Sequence, residues 1–272
     1  MEIEKFIKSE HSVHNMARIL GAIGKAYINP VSDYSHTNLR WCEINHHLET
    51  RSFTLPGGDT VWVSYHPAHL HFHVYVNDEK DNKKMVLVKN NSIEFVKQKF
   101  VKILNDLALD ANKFLPNLRF RHLELLDDNG KLFLPDKPSL HQFETIRSEA
   151  NRILQEYLLQ SGLQSEIRVW ENNFDTGIYC QFANGTDQYA GYAQADKEAY
   201  DKPYFYNSFF VNGKKIIPIN FKQAKNTIWE TENWGGAILP MDRFETMEEF
   251  LAAAPAFLNE TTEIFLSSIK QQ

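Results

Sequence analysis

Residues 61–76 read VWVSYHPAHLHFHVYV, with four histidines in eight positions inside an apolar run. Successive side chains of a β-strand point to opposite faces, so His69, His71 and His73 share one face while Leu70, Phe72 and Val74 line the other. Pro67-Ala68 interrupts the run, which predicts two strands, 61–65 and 69–76, joined as a hairpin. Outward from this pair the chain alternates strand-like and helical stretches. Strand-like runs at 39–44 and 53–55 precede it, with Pro56-Gly57-Gly58-Asp59 as a turn; a polar turn at 78–84 and a short strand at 85–88 follow. Residues 9–27 carry Val13, Met16, Ala17, Leu20 and Ile23 at helical spacing and end before Pro30. Residues 91–107 carry Ile93, Val96, Phe100, Leu104 and Leu107, opened by Asn91 and Glu94 at capping-box spacing.

Further on, residues 118–126 alternate in character and Asp127-Asp128-Asn129-Gly130 turns the chain into 132–134, a connecting hairpin within 109–138. A third helix starts at Pro138-Ser139, with Gln142 completing a second capping box, and runs to Gly162. Strands are expected at 167–170, 177–182, 204–211, 215–219, 227–230 and 237–239. Thr246 with Glu249 caps a last helical segment, which Pro255 is expected to break in two. The fold expected is α+β: antiparallel sheets with helices packed on one face, in two similar helix-strands-helix halves, 1–108 and 139–272, joined by the hairpin at 109–138. One sheet continuous through both halves is the alternative.

Composition sets the bounds on function. The 272 residues are 43% hydrophobic and 24% charged, ordinary for a globular chain. With 19 Phe, 11 Tyr and 5 Trp, the aromatics favour sheets with a large core over a helical bundle. A net charge of -6 and the lack of a Lys/Arg run argue against nucleic acid as a partner. No apolar segment approaches signal or membrane length, so a soluble cytoplasmic protein is expected. Cys42 and Cys180 read as buried thiols in a reducing compartment.

Two constellations carry chemistry. Histidines at alternate positions of one strand converge on one ion, so His69, His71 and His73 are the candidate ligands for a divalent metal; His36, His46 or His47, or the carboxylate of Glu43, would complete the set. A solvent-facing or hydrogen-bonded histidine row is the competing reading. His11 and His14, three apart in the first helix, read as surface residues. The second constellation is aromatic: Tyr189, Tyr192, Tyr200, Tyr204, Phe205, Tyr206, Phe209 and Phe210, with Trp229 and Trp234 downstream. Polar-tipped rings suit a planar or sugar-like ligand, and core packing or contact within a homo-oligomer uses the same residues. Asp175-Thr176-Gly177 spells the aspartic-protease triplet but has no second copy, and a turn after Asn172-Asn173 is expected there. No phosphate loop, dinucleotide fingerprint, nucleophile elbow, CxxC pair or HExxH helix occurs.

The first helix with Ile23-Gly24-Lys25 and Pro30, then His36, Leu48-Glu49-Thr50, the strand pair and the helix with Phe95 and Phe100 resemble a bacterial family known only as a domain of unknown function. The resemblance lies mainly in residues 12–107. It is looser over 165–240, at Val169-Trp170, Phe174-Asp175 and Asn184-Gly185. It brings no catalytic residue, and it implies a histidine or polar residue near 69 without a ladder at 71 and 73, which makes His36 the preferred single histidine.

Three functions follow as expectations. The first is binding of a small molecule in a pocket lined by Tyr34, His36, Trp170, Tyr204, Tyr206 and Trp234 between the halves. The second is a metal-dependent hydrolase or oxygenase using the histidine strand. The third is a structural or partner-binding module.

Overall fold

The computed structural model describes residues 2–77 and 83–269, and these form an α+β fold of α-helices and two antiparallel sheets. In chain order come α1 (Ile3–Tyr27), β1 (Arg40–Cys42), β2 (His47–Glu49), β3 (Phe53–Thr54), β4 (Thr60–His66), β5 (His71–Val76), β6 (Lys83–Leu87) and α2 (Ile93–Asp106). Then follow α3 (Lys137–Ser161), β7 (Arg168–Trp170), β8 (Asp175–Gln181), β9 (Thr186–Ala193), β10 (Tyr204–Val211), β11 (Lys214–Lys215), β12 (Ile228–Glu230), β13 (Gly236–Pro240) and α4 (Met247–Ile269). The helix-strands-helix order recurs, with a separate sheet in each round. No described helix is long and apolar enough to cross a membrane. Cys42, half-buried, and Cys180, buried, are free thiols.

Contacts divide the chain into two compact units. The first comprises Glu4–Glu144 and Val169–Phe174, the second Met1–Ile3, Thr145–Arg168 and Asp175–Gln272. These boundaries differ from the ones expected at 108 and 139. Residues 109–138 are not a free connector, because side chains of α1 bind their backbone: Ser12 Oγ donates to Phe133 O (2.7 Å), Asn15 Nδ2 to His122 O (3.0 Å) and Arg18 Nε to Arg119 O (2.9 Å). The segment runs through single 3-10 turns at Ala111–Lys113, Leu115–Asn117 and Leu123–Leu125, and the expected hairpin shrinks to the bridge Leu126–Leu132.

In the first unit the strand order is β1-β2-β4-β5-β6, with β3 beside β4. The register Leu48–Tyr65, Val63–Val74 and Phe72–Val86 puts the apolar parity on one face, where Val61, Val63, Tyr65, Phe72, Val74 and Val76 are buried. Phe72 meets Phe100 of α2 edge-on at 5.1 Å. Ser92, not Asn91, caps α2, its Oγ accepting from Phe95 N at 3.2 Å. The polar turn expected at 78–84 falls largely outside the described residues.

In the second unit the order is β12-β13-β10-β9-β8-β7, with β11 beside β10. One face carries the helices: Phe205 meets Phe250 at 5.2 Å, Phe209 meets Phe265 at 4.6 Å, and Asn207 Nδ2 donates to Thr261 Oγ1 at 2.9 Å. Tyr157 of α3 joins there through Gln188 and Thr262. The start of α3 belongs to the first unit, and there Asp136 Oδ1 accepts from Ser139 N in place of the expected Ser139–Gln142 box. Helix α4 passes through Pro255 unbroken. A proline inside a helix costs about 3 kcal/mol, and burial of Leu251, Ala254, Phe257 and Leu258 on both sides of it offsets that.

Candidate metal centre

The opposite face of the first sheet is assembled from the second parity of the same strands. Trp62, Ser64 and His66 of β4 and His71, His73 and Tyr75 of β5 share it, since His66 pairs with His71 and Ser64 with His73. Glu49 of β2 pairs with Ser64, and its neighbour of the same parity is His47. His71 pairs in turn with Leu87, and His73 with Met85. Histidines therefore stand side by side across the middle strands.

His66, His71 and His73 each offer a ligand atom, and these atoms all lie within 4.8 Å of one another. This group differs from the expected set in one member, with His66 in place of His69. Pro67–His69 forms a 3-10 turn, closed by Leu70 at φ 52°, so His69 sits exposed in the loop and outside the strand alternation. His66, at the other end of the loop, takes its place because residues flanking a tight hairpin loop face each other. The ring of His69 stays 5.6 Å from that of His71.

Partners fix which nitrogens are open. His66 Nε2 lies 2.9 Å from Ser64 Oγ and His73 Nδ1 lies 3.1 Å from the Tyr75 hydroxyl. His71 bonds the His69 backbone, while its buried Nε2 has no hydrogen-bond partner among the described residues. Burial, then the repulsion of neighbouring histidines, pushes His66 down to about 3 and His73 to about 4; His71 is lowered by the same causes. All three are neutral near pH 7, the form that ligates metal.

His47 stands beside the group, its ring 4.6 Å from that of His66. Glu49 Oε2 accepts from its Nε2 at 2.8 Å, so Nδ1 carries the lone pair; that atom is buried and has no partner among the described residues. Burial alone would raise the Glu49 carboxyl, but the bonds from His47 and Arg40 outweigh it and hold the group below its usual range. A carboxylate bracing an imidazole is the arrangement that orients metal-ligating histidines.

No family model, curated protein or solved structure matches the chain.

The six residues expected to line a ligand pocket are divided between the two units. In the first unit, His36 is buried, with its Nδ1 accepting from Val31 N at 3.2 Å, and Tyr34 is 65% exposed at φ 60°. Trp170 is half-buried and its carbonyl accepts from Phe174 N. In the second unit, Tyr204, Tyr206 and Trp234 do stand together. They fill the hollows left by glycines: a Cβ on Gly177 would run into the Tyr206 hydroxyl, and one on Gly236 into the Trp234 ring. The hydroxyls of the two tyrosines are bound by carboxylates. The Tyr206 hydroxyl donates to Asp175 Oδ2 (2.5 Å) and that of Tyr204 to Asp196 Oδ2 (2.6 Å). Asp175 thus opens strand β8 as a buried partner of Tyr206 and not as the expected turn. A hollow of about 220 Å³ in this unit is lined by Ile3, Met241, Asp242, Phe244, Glu245, Thr246 and Met247, none of them an expected ligand residue.

A second histidine group lies where only surface was expected. His14 is buried; its Nε2 is 3.0 Å from Glu171 O and its Nδ1 is 3.2 Å from His122 Nε2. His11 stacks on His122 at 3.8 Å. Beside them Arg18 and Glu171 form a buried ion pair. The spacing of His11 and His14 in the sequence gives no hint of His122, over a hundred residues away.

Proposed function

We propose that the protein is a metal-dependent hydrolase that takes one divalent first-row transition metal, of the zinc class, on His66, His71 and His73. One observation carries the reading: three imidazoles on two paired strands offer ligand atoms within 4.8 Å of one another. A tetrahedral ion bonded to nitrogen at about 2.0–2.1 Å needs those atoms roughly 3.3 Å apart, a closure that small ring rotations supply. Three histidines with one open position are the ligand set of hydrolytic zinc, and the bound metal would supply an acidified water. His47, braced by Glu49, serves as a fourth ligand or as a base beside that water. Its substitution separates the two, since metal is lost in the first case and kept in the second.

Cobalt titration of protein without a histidine tag tests the reading. Cobalt bound by the parent, with the visible bands of tetrahedral cobalt, is expected to fall by one equivalent in the His71→Ala/His73→Ala variant. Cobalt uptake unchanged by the double substitution, or a parent that takes up no metal at this face, removes the proposal.

A further inference from the structure

We infer that a second cation site, independent of the first, is formed by His11, His122 and Glu124 against the first turns of α1. The Glu171 carbonyl can only accept, so His14 Nε2, 3.0 Å away, carries a hydrogen. In the neutral ring Nδ1 then holds a lone pair, and His122 Nε2, 3.2 Å from it, must donate. That leaves the lone pair of His122 on Nδ1. Glu124 Oε1 lies 3.4 Å from that same atom. Two acceptors facing each other repel unless a positive charge joins them.

A metal ion supplies that charge, because it is bound by the lone pairs themselves. The third donor is at hand: ligand atoms of His11, His122 and Glu124 all lie within 4.8 Å of one another. Two imidazoles and one carboxylate form a donor set for zinc, iron(II) or cobalt(II), with positions left for water.

The loop that carries His122 is built to hold still. Asn15, fully buried, accepts from Arg121 N and His122 N at 3.1 Å each and donates to His122 O at 3.0 Å. His14 is then a positioning residue: it fixes the His122 tautomer and turns Nδ1 toward Glu124.

The test uses the full chain carrying His71→Ala and His73→Ala, which silences the first site. Titrated with zinc by calorimetry, with bound metal measured after ultrafiltration, this protein is expected to hold one equivalent. Adding Glu124→Gln, an exposed substitution that leaves the fold intact, is expected to weaken binding at least about tenfold, and His14→Gln about 10–100-fold. No bound equivalent in the His71→Ala/His73→Ala chain, or binding indifferent to Glu124→Gln, overturns the inference. A parent that binds one equivalent, sensitive to Glu124→Gln but not to the His71 and His73 substitutions, would sustain this site while removing the first.

Discussion

Single titrating residues give opposite pH dependences to the two units. His66 and His73 titrate near 3 and 4 when folded, against about 6.5 when unfolded, so the unfolded chain binds more protons between those values. Their contribution to stability is complete above about 6.5 and is lost as the pH falls. Melting temperature is expected to drop on acidification from pH 7 to 4.5, and to drop less in His73→Gln; parallel profiles would refute this. Asp175 runs the other way. Burial lifts it to about 6, above the 3.8 of a free carboxyl, so its stabilising protonated form is present at low pH and lost as the pH rises through 6. Asp175→Asn keeps an oxygen for the Tyr206 hydroxyl and removes the buried charge. It is expected to melt above the parent at pH 8 and to lose that advantage at pH 4, as read by calorimetry.

At the scale of elements, the second sheet depends on glycines that let strands and rings approach. Gly191 pairs with Gly177, and a Cβ on Gly191 would run into Thr176 O and stand 2.7 Å from the Gly177 Cα. Because those are backbone atoms, nothing flexible can yield. Gly191→Ala is expected to cost about 2–3 kcal/mol, a fall of roughly 5–10 °C in melting temperature; an unchanged melting curve would contradict the packing. The sequence shows where this kind of information hides. Strand β9 reads TDQYAGYA, whose small residues hide the alternation of a strand, although the Asn184-Gly185 turn before it marks a hairpin. The helical stripes of α1 to α3 and the two-residue period of β4 and β5 were legible because burial imposes them. The site was legible only in part. His71 and His73 follow from strand parity, but His66 required reading 67–70 as a hairpin loop, whose ends face each other. His122 and Glu124 required a tertiary contact with α1 that no local pattern encodes.

At the scale of the molecule, both proposed cation sites fall in the first unit, Glu4–Glu144 with Val169–Phe174. A ligand that binds only the folded state stabilises what it binds by RT ln(1 + [L]/Kd), about 2.7 kcal/mol at a hundredfold excess over Kd. Opening of the elements that carry the ligands must then become rarer, while opening of a separately folding unit is untouched. Hydrogen exchange with and without zinc measures both. Slower exchange is expected in β2, β4, β5 and residues 119–124, with unchanged exchange in β8, β9 and β10. Equal slowing in both sheets would mean that the chain opens as one cooperative body, and no slowing in β5 would remove the metal from the histidine face. Carried out on the His71→Ala/His73→Ala chain, the measurement separates the sites: protection at 119–124 is expected to persist while that of β4 and β5 is lost, because the donors of the two sites share no residue.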